Sequence, residues 1–138
     1  MRKTLSLTSV LTLVLLAQPA LAERPPEKKE AATHVLTGVI KQLETKESPF
    51  GGDGVKTDYT AEIAIDKVER GEGLKPGETV KVNWFHVTKK PSKPIVGAFG
   101  HGYAAAKKGE AVRVYLMKRA SGNYEVIYNS EGMEPVKK

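Results

Sequence analysis

The chain contains no cysteine, a single tryptophan and only 7% aromatic residues. Without cysteine there can be no disulfide framework, no thiolate chemistry, no cysteine-ligated zinc and no lipid-modified N-terminal cysteine. Its longest apolar run, Leu5 to Leu16, falls short of the ~20 residues that a membrane-spanning helix needs. None of the short catalytic signatures occurs either. The glycines of Gly51-Gly52-Asp53-Gly54 lack the Lys and Ser/Thr of a phosphate loop. No serine sits in a nucleophile-elbow sequence, and no two histidines stand at the H-x-x-x-H spacing of a helical zinc site.

Export is the first positive signal. Arg2 and Lys3 precede the apolar run, and Pro19 then leads into Ala20-Leu21-Ala22, a small-x-small cleavage site. This is the layout of a secretory signal peptide cut after Ala22, so residues 1–22 are expected to be removed and the protein to be periplasmic or secreted. Of 138 residues, 116 then remain, one domain by length and enough for a core without staples. The chain carries +6, of which Arg2 and Lys3 supply two, leaving +4 after cleavage. Residues 23–32, charged and with two prolines, read as a flexible leader, and a single domain is expected over 33–138.

From Thr33 the composition turns to β-branched residues, giving a first strand to Leu43 with a bend at Gly38. Glu44 to Lys56, with Ser48-Pro49 and the glycine cluster, reads as a long mobile loop. A second strand, Tyr59 to Val68, alternates with Tyr59, Ala61, Ile63 and Ile65 on its apolar face, and its phase slips near Asp66-Lys67, the mark of a bulge. Pro76-Gly77 turns into a third strand, Thr79 to Val87, whose Val80, Val82, Trp84 and His86 share one face. Tyr103-Ala104-Ala105-Ala106-Lys107-Lys108-Gly109 fits a short helical turn. Strands Ala111–Lys118 and Tyr124–Tyr128 follow across an Ala120-Ser121-Gly122-Asn123 hairpin, and Met133 and Val136 fold back as a short edge.

Three strands, a connection with a helical turn, and two more strands make an all-β chain. The expected fold is a small five-stranded OB-like barrel, with an open β-sandwich as the alternative. The run Tyr59 to Val68, Gly71, Leu74-Lys75-Pro76-Gly77-Glu78-Thr79-Val80 and the stretch Gly109 to Leu116 resemble cysteine-free bacterial relatives of netrin-like and metalloproteinase-inhibitor-like OB modules. The resemblance covers about Thr33 to Tyr128 as strand pattern. It implies the fold only, because inhibitory members of that group act through an N-terminal cysteine that is missing here.

Eight basic residues lie between Lys89 and Arg119, opposed only by Glu110. With Trp84 and His86 beside them, Lys89, Lys90, Lys93, Lys107 and Lys108 are the candidate ligand-binding residues, suited to a polyanion or acidic protein of the cell envelope. Export argues against nucleic acid. Trp84 alone reads first as a core plug and second as a stacking platform. The alternative function is metal binding through His86 and His101, although no carboxylate pairing supports it. No catalytic residue and no cofactor is expected, since Glu62, Asp66 and Glu69 alternate toward solvent rather than converging. The expected function is a non-catalytic binding or interaction module.

Overall fold

The computed structural model describes residues 25–94 and 100–137. The signal peptide and its cleavage site lie outside those residues. Six strands form one sheet: β1 (His34–Phe50), β2 (Gly54–Arg70), β3 (Thr79–Lys89), β4 (Ala111–Lys118), β5 (Tyr124–Val126) and β6 (Met133–Pro135). The order β1-β2-β3-β5-β4, with β4 returning to pair with β1, closes the first five strands into a barrel. Every pairing is antiparallel except β3 with β5, where Val82 and Asn83 lie beside Tyr124 and Glu125 in parallel. This all-β barrel is the expected architecture, and β6 lies on the outer edge of β4, with Met133 beside Val114.

Closure requires β1 to serve two neighbours at once. Its residues His34 to Val39 pair with β4 while Val35 to Phe50 pair with β2. The strand bends sharply to do this, and the register with β2 shifts three times. One shift leaves Asp66 as an extra residue between the partners of Thr37 and Gly38, at the bulge foreseen from the lost phase. Gly38 sits at the crossing. A Cβ there would stand 2.6 Å from Ile63 Cγ2 and closer still to the carbonyl oxygen of Ala64, so only glycine lets the two backbones approach.

The inward residues fill the barrel: Leu36, Ile40, Ala61, Ile63, Ile65, Val80, Val82, Val112, Val114, Leu116 and Val126, with Tyr59 and Trp84 toward one end. Each large apolar side chain so buried contributes roughly 1.5–3 kcal/mol, which offsets the absent disulfides. Leu74 packs against this core from the β2–β3 corner. The corner is tightened at Lys75-Pro76-Gly77-Glu78, where the Glu78 N–H donates to the Lys75 carbonyl at 3.1 Å and Gly77 adopts φ 87°. The helical turn between β3 and β4 takes the form of two successive i→i+3 turns, Tyr103 to Ala106 and Lys107 to Glu110, and Ala106 is buried on the core.

Two expectations are corrected. Glu44 to Lys56 is not a loop. β1 and β2 run on through it as an extended arm, paired from Gln42 with Glu62 out to Phe50 with Gly54, leaving a turn of three residues. The turn formers misled because Pro49 sits in an edge strand, where a missing N–H breaks no ladder bond.

Nor do residues 25–32 form a flexible leader. Glu27 ties the segment to the far end of the described chain, donating its N–H to the Tyr128 carbonyl (2.8 Å). Its carboxylate accepts from the Tyr128 N–H (2.8 Å) and from both terminal nitrogens of Arg119 (2.9 and 3.3 Å). A 3₁₀ turn, Lys29–Ala31, follows, and Arg70 Nη1 donates to the carbonyls of Lys29, Glu30 and Ala32. Ala32 is then buried with Val35, Tyr115 and Ile127 in a second small cluster outside the barrel. The segment lacks large apolar residues, as its composition shows, but charged groups hold it in their stead.

Candidate functional site

Register decides what β2 and β3 present together. Residues directly opposite on antiparallel strands share a face. Tyr59 with Trp84, Ala61 with Val82 and Thr57 with His86 therefore point inward, and Thr60 with Asn83 and Asp58 with Phe85 point outward.

On the inner face Trp84 is 2% exposed and lies flat on Tyr59, ring centroids 5.2 Å apart and planes 5° off parallel. His86 meets the same tyrosine edge-on at 6.2 Å. Trp84 Nε1 and His86 Nε2 are both buried without a hydrogen-bond partner among the described residues. Trp84 is thus the core plug expected, and its buried ring offers no stacking surface.

Desolvation by burial pushes the His86 imidazole below its ordinary value of 6.5, against a smaller opposing contribution from the Gly102 backbone. A depressed histidine favours the neutral folded state, so its contribution is complete above the unfolded value. It is lost as pH falls below about 6.5 toward the folded value. Urea midpoints measured from pH 8 to pH 5 are expected to fall more steeply for the wild type than for His86→Gln. Parallel curves would show that His86 does not carry this dependence.

The outer face holds a cleft of about 270 Å³ lined by Asp58, Thr60, Asn83, Phe85, His101 and Glu125, with Tyr59 and Trp84 also contributing to its lining. Thr60 Oγ1 donates to Asn83 Oδ1 at 3.2 Å, which orients the asparagine amide. Lys56 Nζ lies 4.6 Å from the Phe85 ring centroid and 3.3 Å from Asp58 Oδ1. Glu125 accepts from Arg119 Nε at 3.0 Å. The hydrogen bonds that the guanidinium donates to Glu27, and then to Glu125, raise its already high pKa further. The carboxylates of the cleft are therefore balanced by Lys56 and Arg119.

His101 closes one wall. Its ring is 1% exposed and packs against Phe85 (5.0 Å) and Tyr128 (5.3 Å). Nδ1 faces the carbonyls of Val126 (2.8 Å) and Ile127 (3.2 Å), which only accept, so Nδ1 carries the proton. Nε2 then faces Glu125 Oε1 at 3.9 Å. His101 thus belongs to the outer face and His86 to the inner one, so β3 stands between the two histidines. Among the described residues, no group of three His, Asp or Glu could hold a metal ion.

The lysines separate as well. Lys89, at the end of β3 beside Val55 on the arm, leads into Lys90 and Lys93, all three exposed. Lys107 and Lys108 are exposed too, but on the turn whose Gly109 N–H donates to Ile40 on β1. Two other cations of the basic stretch are neutralised by acids outside it: Arg113 by Glu69 at 2.6 Å, and Arg119 by the distant Glu27 and by Glu125 across the β4–β5 hairpin. A larger cavity, about 370 Å³, lies under the N-terminal segment between Lys29, Glu69, Arg70, Arg113 and Tyr115. There Lys29 pairs with Glu134, Arg113 with Glu69, and Arg70 with backbone carbonyls, so it reads as a fastening of that segment.

The cleft is assembled by strand register and is not visible in either strand alone. Thr60, Asp58, Asn83 and Phe85 each belong to a recognisable outward row, and a register guess anchored on the Pro76-Gly77 turn could have joined the two rows. No protein-family model, no curated protein and no solved structure matches this chain.

Proposed function

We propose that the protein is an exported, non-catalytic binding module that takes an anionic partner of the cell envelope along the outer face of β2 and β3. One observation carries this reading. The outward row of β3 runs Asn83, Phe85 and Val87 beside Thr60, Asp58 and Lys56 of β2, and past a bulge at Thr88 the strand ends at Lys89, so a charge-balanced cleft passes into an aromatic and aliphatic strip that leads toward the exposed Lys89, Lys90 and Lys93. Asn83, Phe85 and Val87 are half-exposed, an arrangement that gives contact area at the cleft and positive charge at the strand end. The strand 2–3 face is also where OB barrels generally bind extended ligands. The likeness to netrin-like modules adds the scaffold and no inhibitory chemistry, for want of the cysteine. Lys107 and Lys108 belong to a different part of the surface and are not needed for it.

The test is retention on immobilised heparin by protein expressed from the full sequence. Lys89→Ala/Lys90→Ala/Lys93→Ala should elute at lower salt and bind about tenfold more weakly, as three exposed ion pairs of ~0.5 kcal/mol each imply. Lys107→Ala/Lys108→Ala should elute with the wild type. Equal loss in both variants would mean that only net charge is being read, and no loss in either would remove the β3 lysines from the site.

A further inference from the structure

The arm leaves one strand edge open. β4 covers β1 only from His34 to Val39, and the last bonds on that side join Ile40 to Glu110 and Gly109. From Lys41 to Phe50, β1 is paired on its β2 side alone among the described residues. At ~3.3 Å per residue these ten residues present an edge of about 33 Å. Lys41, Gln42, Glu44, Thr45, Lys46 and Glu47 are all exposed.

Which backbone groups face outward follows from alternation. Ile65 exchanges hydrogen bonds with Glu78 and Gly77 on the β3 side. Hence Ile63, Ala61, Tyr59 and Thr57 also turn toward β3, whereas Glu62, Thr60, Asp58 and Lys56 turn toward β1. Their partners Gln42, Glu44, Lys46 and Ser48 are satisfied in this way. Leu43, Thr45 and Glu47 are left with N–H and C=O aimed at the open edge. Pro49 has the same parity, so its missing N–H falls on that edge.

We propose that this edge is a self-association surface, on which β1 of a second copy pairs antiparallel about a two-fold axis through Thr45. An isologous contact requires the segment to complement its own reverse. In the register centred on Thr45, Glu44 of one copy faces Lys46 of the other, and by symmetry the pair occurs twice. Leu43 faces Glu47 and Gln42 faces Ser48. Thr45 and the Leu43/Glu47 positions exchange main-chain hydrogen bonds. The Glu44/Lys46 positions are the non-hydrogen-bonded ones, where Cβ atoms come within about 4.5–5.5 Å and opposite charges attract. The neighbouring register, centred on Glu44, would set two carboxylates against each other. Charges and a proline commonly guard an edge against pairing. Here the guard discriminates: the alternating signs accept one register of the chain's own copy and reject the adjacent one.

Sedimentation of protein expressed from the full sequence, over concentrations up to about 1 mM, tests this. A dimer is expected whose dissociation constant rises at least tenfold in Lys46→Glu and returns toward the wild-type value in Glu44→Lys/Lys46→Glu. Thr45→Pro should also give a monomer and keep the native circular dichroism, because that N–H faces the open edge and makes no ladder bond among the described residues. A wild type that stays monomeric throughout would overturn the proposal. So would a dimer indifferent to Lys46→Glu, or one that the double exchange fails to restore.

Discussion

Trp84→Ala is expected to lower the unfolding free energy by about 4 kcal/mol, near the top of the range for removing a large aromatic from a core. Almost the whole indole is buried, and it lies flat on Tyr59. It also seats the returning chain, since a Cβ at Gly102 would stand only 2.7 Å from Trp84 Cδ1. The neighbours that would have to collapse into the void belong to strands already locked by pairing on both sides, so little relaxation is available. Trp84→Phe should cost far less, about 1 kcal/mol, for two reasons. Most of the apolar volume is kept, and the discarded Nε1–H has no partner to lose among the described residues. Guanidinium unfolding of the two variants measures the contrast. Equal losses would show that the indole nitrogen holds something essential.

The second large effect is expected at Gly38, where an added methyl group should cost about 3 kcal/mol, the upper end of overpacking penalties. The penalty arises because the obstacle is main chain. The Ala64 carbonyl belongs to β2, and β2 cannot retreat without leaving β3, its partner from Val55 to Ala64. β1 cannot retreat either, because Gly38 is also paired with Val112 of β4. Strain at the crossing should appear as a lowered melting temperature together with faster amide exchange in both β2 and β4. A Gly38→Ala protein as stable as the wild type would mean that the crossing is looser than its backbone distances indicate.

Much of the barrel was legible from local pattern. β4 runs from Ala111 to Lys118 as its alternation indicates, and the bulge at Asp66 announces itself through the lost phase of β2. The Pro76-Gly77 turn was readable for the same reason: it is decided by residues within a few positions of itself. What stayed hidden depends on partners far away in the chain. The Ser48-Pro49 pair reads as loop unless the open side of β1 is known. The N-terminal segment reads as unstructured because its anchors are Arg70, Arg119 and Tyr128. The basic stretch reads as one patch, yet Glu27, Glu69 and Glu125 neutralise two of its arginines, and the turn carrying Lys107 and Lys108 takes those lysines elsewhere. The cleft needed the Thr60–Asn83 and Asp58–Phe85 pairings, which alternation on either strand alone cannot supply.

The parallel contact between β3 and β5 also has a kinetic meaning. The β1-β2-β3 meander joins neighbours in sequence and can form as soon as those residues exist, leaving β3 with an unfilled side. That side is filled by Tyr124 and Glu125, some forty residues later and close to the end of the chain. During synthesis, from the N-terminus onward, the molecule therefore passes through an open curved sheet before it can become a cylinder. The last turn of the lock is given by one of its shortest strands, the three residues of β5. Under mild denaturant the same strand is where the cylinder should first part.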